Sequence, residues 1–402
     1  MTAIIQCILP PLVSAGDMVF TPSIALREEM NDNIFEESSS RRTDFITRLS
    51  PGVTIKYNSP FWTWDSSYLF DYGTYARKSK GNEYRNTASL KGNIALVEKF
   101  MFLDLSDTYS RVTLDASRTA STETSTFLNQ TDQNVAIVSP YMLWRLRGDS
   151  SLKTGYSFTD TRYWGNGIEK QEHRGFADLS HQITGKLSIS GGYAFTRLDS
   201  IPSQFNKHDL NGGFKYEYAD NSFVSGRIGN SWQHFNTDVD VSNLFWDAAI
   251  IHDLRFAVAT VETRSSTTED PLAVSTKETS YSAKLEKTVP RGMFGLSSTY
   301  SEYVNTATNR RDHRKLGFTA TGRYEVMHNV TANLGATGDR FSRKTSADYP
   351  YRFSGTAGLN YALQNELTLG LTYTYVTNLY SLHNRNGVKD INRAIIEVKK
   401  AF

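Results

Sequence analysis

The residue types that most often carry catalysis or metal binding are scattered through this sequence. Its eight histidines lie at positions 173, 181, 208, 234, 252, 313, 328 and 383, and no H-E-x-x-H, G-x-S-x-G or G-x-x-x-x-G-K pattern occurs. The single cysteine, Cys7, excludes a disulfide framework, a thiolate metal site and haem attachment through a cysteine pair. We therefore predict no enzyme, no catalytic residue, no cofactor and no metal site. The many serines, histidines and aspartates leave one alternative open, a hydrolytic site at the rim of a larger structure.

One acidic, asparagine-rich segment has the oxygen ligands that calcium prefers. It runs from Asn31 to Glu37 and reads NDNIFEE. Its spacing differs from that of known calcium loops, so we expect a solvated extracellular loop instead.

The composition describes a wall with one apolar face and one wet face. Hydrophobic residues make up only 39% of the chain, yet aromatic residues reach 12%, with 22 Tyr and 22 Phe. Disordered chains lack aromatic residues, and a membrane barrel needs them at its two interfaces. The 44 basic and 42 acidic residues form no block of one sign, which excludes the footprint of a nucleic-acid-binding protein.

Strand-like segments of about 10–14 residues alternate between apolar and polar positions from Val19 onward. The last segment places Ala394, Ile396, Val398 and Phe402 on one side, and a terminal aromatic residue is common in outer-membrane barrels. Lys400 departs from the pattern because it lies on the apolar side. Each segment therefore predicts a strand with one buried and one wet face.

The connections alternate between short and long. The nine short ones lie near 58–60, 98–99, 148–150, 184–185, 219–221, 252–253, 290–292, 327–329 and 364–366. The ten long ones span roughly 29–43, 76–85, 110–132, 164–170, 199–207, 236–242, 264–276, 304–312, 341–350 and 378–389. This asymmetry predicts an all-β fold, a transmembrane antiparallel up-and-down β-barrel of about twenty strands (18–22) in the bacterial outer membrane, with the short turns in the periplasm. A soluble β-sandwich or propeller is the alternative fold.

Residues 1–15 have the character of a signal peptide. An apolar stretch from Ala3 to Val13 precedes Val13-Ser14-Ala15, a small-x-small cleavage site before Gly16. We therefore expect a signal peptide at 1–15 and a single barrel domain at 16–402.

Charged residues of both signs fall on the predicted inward row. Facing lipid, each would cost roughly 2–4 kcal/mol near the bilayer midplane, whereas a water-filled lumen keeps it hydrated. The predicted lumen-lining residues are Asp65, Asp71, Lys91, Lys153, Glu172, Arg174, Asp178, Asp209, Lys215, Glu217, Arg227, Lys284, Glu286, Lys315, Arg323 and Arg352. They either pair across strands and keep the interior wet, or form a selectivity filter or carbohydrate track.

The N-terminal part of the predicted barrel resembles a known family. Residues 21–27 (TPSIALR), 31–35 (NDNIF) and 44–53 (DFITRLSPGV), with 139–142 (SPYM) further on, resemble outer-membrane β-barrel proteins encoded beside exopolysaccharide and exosortase (PEP-CTERM) loci of Gram-negative bacteria. The resemblance is specific over residues 21–57 and diffuse beyond them. It implies a barrel with a link to the secretion of polysaccharide or sorted proteins, and it supplies no catalytic residue.

Together these features predict a porin-like channel that passes exopolysaccharide or other polar solutes. The expected partners are outer-membrane lipid, lipopolysaccharide and polysaccharide-export components, and no nucleic acid. One alternative is a barrel sheath around a partner, such as a multihaem cytochrome or a secreted protein. A rim enzyme, or a surface adhesin using the 110–132 loop, is the other.

Overall fold

Period-two alternation produces twenty β-strands in the computed structural model of the chain. The structure describes residues 16–114, 130–201, 204–237, 239–269, 275–306, 308, 310–342, 350–382 and 387–402, so the predicted signal peptide at 1–15 lies outside the described residues. The strands are β1 (Asp17–Asn31), β2 (Asp44–Asn58), β3 (Trp62–Tyr75), β4 (Glu83–Val97), β5 (Met101–Thr113), β6 (Gln130–Arg145), β7 (Ser150–Trp164), β8 (Lys170–Thr184), β9 (Leu187–Ser200), β10 (Phe205–Ala219), β11 (Ser222–Phe235), β12 (Asp240–Asp253), β13 (Val258–Glu269), β14 (Ser275–Val289), β15 (Gly292–Asn305), β16 (Arg310–Met327), β17 (Val330–Ser342), β18 (Tyr351–Ala362), β19 (Leu367–Leu379) and β20 (Lys389–Ala401).

The strands form one closed antiparallel barrel. Each strand pairs with the next along the chain, and β1 pairs with β20 from Ser23↔Ala401 to Asn31↔Arg393. Closure gives the backbone N–H and C=O groups of β1 and β20 hydrogen-bond partners, which the bilayer core does not supply. The predicted up-and-down barrel of about twenty strands is confirmed. Among the described residues, no helix has the length and apolar character needed to cross a membrane.

The long connections are shorter than predicted. β9 continues to Ser200 and β10 begins at Phe205, so the predicted 199–207 loop shrinks to 201–204, and the predicted 110–132 loop becomes 114–129. The strands outrun the apolar band: Lys170↔Ser200 and Phe205↔Leu198 still pair there. There the apolar residues Leu198 and Phe205 share the inner face with Lys170 and Ser200, so the apolar-out, polar-in alternation breaks down although the backbone ladder continues. Eight of the nine short turns lie where the sequence predicted them, and the one predicted near 252–253 lies at 254–257 because β12 continues to Asp253.

Side-chain and backbone bonds join β1 and β20 at the closing seam. The Phe402 amide donates to the Pro22 carbonyl (2.9 Å), and Arg27 donates to Glu397 (2.6 Å). Lys400 lies on the outer, apolar side as its position predicts. Its ammonium group reaches the carbonyl of Asn365 in the β18–β19 turn, which removes the charge from the apolar band.

The outer face exposes large hydrophobic side chains along the barrel. Leu296, Leu334 and Phe318 are 60%, 61% and 57% exposed. The cross-strand register places many Tyr and Trp residues on this same face, among them Trp62, Trp64, Tyr68, Tyr72, Tyr156, Tyr193, Tyr216, Trp232, Tyr300, Tyr324, Tyr361 and Tyr373. A band this apolar, carried by a closed barrel, belongs in lipid, and its aromatic residues suit the two interfaces.

Candidate transport lumen

The register places all sixteen predicted lining residues on the face opposite the apolar band. Cross-strand partners point to the same side of a sheet, so pairings such as Asp65↔Lys91 and Lys153↔Asp178 carry this face from strand to strand around the barrel. The same face holds several buried polar side chains, among them Glu29, Arg48 and Thr196. Their role as the lining of a solute path stays a prediction.

Ion pairs on this inner face join neighbouring strands and neighbouring positions of one strand. Asp65 lies 3.9 Å from Lys56 with both side chains more than half exposed, and Lys284 lies 2.9 Å from Glu286. Lys315 reaches Asp339 of β17 at 3.3 Å, with both side chains almost buried. The exposed pairs, Lys56–Asp65 and Lys284–Glu286, contribute little to stability, so they act chiefly to keep the wall polar and of mixed sign.

An aromatic cluster lies on the inner face near the short-turn end; we call Phe102, Tyr141 and Phe176 the aromatic platform. The rings of Phe102 and Tyr141 stack with centroids 5.2 Å apart, and the Lys153 ammonium lies 4.0 Å from the Tyr141 centroid. Gly155 makes room for the cluster, because a Cβ there would come within 2.6 Å of the Phe176 ring. The platform thus combines ring faces with a cation on an otherwise polar wall.

The aromatic platform adjoins hydrogen-bonding side chains. Asn93 of β4 donates to Asp104 of β5 (2.5 Å) and to the Tyr141 hydroxyl (3.4 Å). Aromatic ring faces can stack on a sugar ring, and neighbouring carboxylate and amide groups can form hydrogen bonds with its hydroxyls.

At the long-loop end, Glu83 is the centre of a charged network. Its carboxylate accepts a bond from the Tyr75 hydroxyl (2.9 Å) and from Arg111 (2.6 Å), and lies 3.9 Å from Arg48. Arg48 also lies 3.6 Å from Asp71, the one predicted lining residue in the network. Arg48 is 5% exposed and Glu83 is 8% exposed, so this network is a buried part of the folded structure at the long-loop end of the barrel, here called the mouth.

The segment 32–43, which joins β1 and β2, differs from the solvated loop that the sequence predicted. Asn33 is fully buried and Ile34 is 1% exposed. The cause is Ile34, an apolar residue inside the acidic run, which packs with Ile46 and Tyr75. Within the described residues, no group of three His, Cys, Asp or Glu side chains that could hold a metal ion occurs.

The described histidines serve local contacts. On the outer face, the hydroxyls of Tyr156 and Tyr193 bond His173 (2.6 Å) and His208 (2.8 Å), respectively. Ser150 bonds Nδ1 of His181 (2.8 Å) at the short-turn rim. In a catalytic triad the serine faces Nε2 and the acid faces Nδ1, so this pair does not have the triad arrangement.

Several inner-face charges were missed by sequence reasoning. They include Arg27, Glu29, Arg48, Lys56, Arg85, Asp104, Asp247, Glu262, Arg264, Asp339, Arg393 and Glu397. Strand parity alone could have found many of them. Their partners could not be found, because register between distant strands leaves no mark on one sequence.

No protein-family model and no curated protein matches this chain. Solved structures do match. The FrpB iron transporter from Neisseria meningitidis aligns with a TM-score of 0.56 and 9% identity over 95% of this chain and 81% of its own. The siderophore receptor PirA from Pseudomonas aeruginosa gives 0.53 and 9% over 95% and 80%. The ferric enterobactin receptor PfeA from the same species gives 0.55 and 9% over 95% and 80%.

At this identity the comparisons show a shared fold. The closed barrel with its apolar outer band is an outer-membrane β-barrel of Gram-negative type, as the sequence predicted. The three matched proteins named above are an iron transporter and two receptors.

Proposed function

We propose that this protein is a passive outer-membrane channel for polar solutes. The observation that carries the proposal is the inner face itself, a largely polar surface of mixed charge inside a closed twenty-stranded barrel. Barrels of 16–18 strands already leave an aqueous lumen, so about twenty strands leave ample room for water and small solutes.

Sugars are the solute class that we favour. The aromatic platform supplies ring faces for stacking, and the Asn93–Asp104 pair supplies hydrogen bonds beside it. Exopolysaccharide, or its precursors, is the particular sugar that the resemblance of residues 21–57 implies. The iron compounds named for the matched transporters and receptors do not carry over, because those likenesses concern the fold.

Liposome swelling tests the proposal directly. Purified protein reconstituted into liposomes should admit neutral sugars up to a size limit, and protein-free liposomes serve as the control. Failure of all sugars to enter, from protein shown to be inserted and folded, would rule out the open channel. If a haem protein or secreted protein co-purifies with the closed barrel, the sheath alternative takes its place.

A further inference from the structure

The segment 32–43, here called the mouth segment, has a defined structure of its own. The Ile34 amide donates to the Arg42 carbonyl (3.0 Å), and the Glu36 amide donates to the Asn33 carbonyl (3.1 Å) in a turn where Glu36 takes a φ of 56°. The Glu37 amide donates to the Asn33 side chain (3.0 Å). The guanidinium group of Arg42 lies 5.1 Å from the Phe35 ring centroid. These contacts hold the segment in one shape.

One side of the mouth segment packs on the inner face of β2 and β3, at their long-loop ends. Ile34, Ile46 and Tyr75 form a buried cluster and are 1%, 0% and 5% exposed, with Phe35 packed against it. Ile46 and Tyr75 belong to the same face as the lumen-lining charges. The apolar cluster of Ile34, Ile46 and Tyr75 therefore lies on the lumen side of the barrel wall.

The other side of the mouth segment attaches to β20. The Asn33 side chain donates to the Asp390 backbone carbonyl (2.9 Å), and Arg41 donates to the Asp390 carboxylate (3.1 Å). On the same inner face, Ile391 of β20 is 1% exposed.

A segment that packs on Tyr75 of β3 and bonds Asp390 of β20 must cover the wall between these strands. Two strands, β1 and β2, separate β3 from β20 around the barrel. Tyr75 ends β3 and Asp390 stands second in β20, so the covered surface lies at the long-loop end of the lumen.

We propose that the mouth segment is a fixed constriction that sets the size limit of the channel. The inference rests on the proposed channel function and deepens it. Loosening the segment should widen the pore, because the segment would then no longer narrow the lumen while the strands of the wall keep their positions.

Two variants loosen the segment in different ways. Ile34→Asp places a charge in the apolar cluster, and Asn33→Ala removes the side-chain bonds to Asp390 and Glu37. The matched control is Ile201→Asp, the same change in the β9–β10 connection, where the side chain is 84% exposed. Circular dichroism and protease resistance establish that each variant folds.

The measurement is single-channel conductance in potassium chloride, together with the largest neutral maltodextrin that enters liposomes. We expect Ile34→Asp and Asn33→Ala to raise conductance and shift the limit to larger sugars, while Ile201→Asp matches the wild type. Equal conductance and limits in all folded proteins would overturn the constriction and leave the channel intact. A closed wild type with conducting Ile34→Asp would support the constriction and contradict an open channel. If none of the folded proteins conducts, both the constriction and the channel are overturned.

Discussion

Arg393 of β20 donates two hydrogen bonds to Glu29 of β1, at 2.9 and 2.7 Å, across the seam where the barrel closes. Both side chains are almost buried, at 11% and 3% exposed. A second pair across the same seam, Arg27 and Glu397, has side chains 41% and 30% exposed. The seam thus contains a buried and an open version of one interaction.

Removing the carboxylate of the buried pair should destabilise the barrel far more than removing that of the open pair. Glu29→Ala leaves Arg393 buried without this partner, and we expect the free energy of unfolding to fall by about 3–5 kcal/mol. Glu397→Ala is the control and should cost about 0–1 kcal/mol. Urea titration of protein folded in lipid vesicles measures both. Equal losses would show that burial does not distinguish the two pairs.

The two faces of the barrel predict opposite responses to charge in the middle of one strand. Phe318 of β16 is 57% exposed on the outer face, and its neighbour Thr319 points to the inner face. Phe318→Arg should lower the free energy of unfolding in bilayers by about 2–4 kcal/mol, because arginine would face the bilayer core.

Thr319→Arg is the control for Phe318→Arg and should fold with a much smaller loss, because water hydrates the lumen. The same vesicle-based titration compares them. A larger loss for Thr319→Arg would reverse the assignment of the faces.

The hydroxyl of Tyr75 is a hydrogen-bond donor in the charged network around Glu83. It donates to Glu83 at a buried site, and hydrogen bonds to charged groups contribute about 1.5–3 kcal/mol. We expect Tyr75→Phe to lower the free energy of unfolding by about that amount and to speed proteolysis at the long-loop end. Tyr84→Phe, at a residue that is 67% exposed, provides the control and should change neither. Unchanged stability in Tyr75→Phe would mean that the other partners of Glu83 suffice.

The aromatic platform should slow sugars inside the lumen. Tyr141→Ala removes one ring of the stacked pair, and we expect weaker blocking of ion current by added maltodextrin at unchanged fold. Current noise and the concentration needed for half-block report the change. Tyr156→Ala alters a tyrosine on the outer face of the adjacent strand and should leave sugar block as in the wild type. If both variants behave alike, the platform has no part in solute passage.

The sequence predicts the barrel well because its signal repeats in every strand. Leu316, Phe318 and Ala320 alternate with Lys315, Gly317 and Thr319, and the structure keeps them on opposite faces. The same alternation predicts which residues share the inner face, since face depends only on parity along a strand.

The mouth could not be predicted in the same way. Ile34 lies in an acidic run that suggests a solvated loop, and its burial depends on Ile46 and Tyr75, which come from later strands. The bond between Asn33 and Asp390 joins residues 357 positions apart. Contacts of that range follow from barrel closure and register, which local patterns do not encode.

Conductance of the unmodified protein in a planar lipid bilayer tests the channel most directly. We predict stable, ohmic steps in potassium chloride with weak ion selectivity, because the inner face carries charges of both signs. Reversal potentials in a salt gradient measure that selectivity. Folded, inserted protein that never conducts would contradict a passive channel.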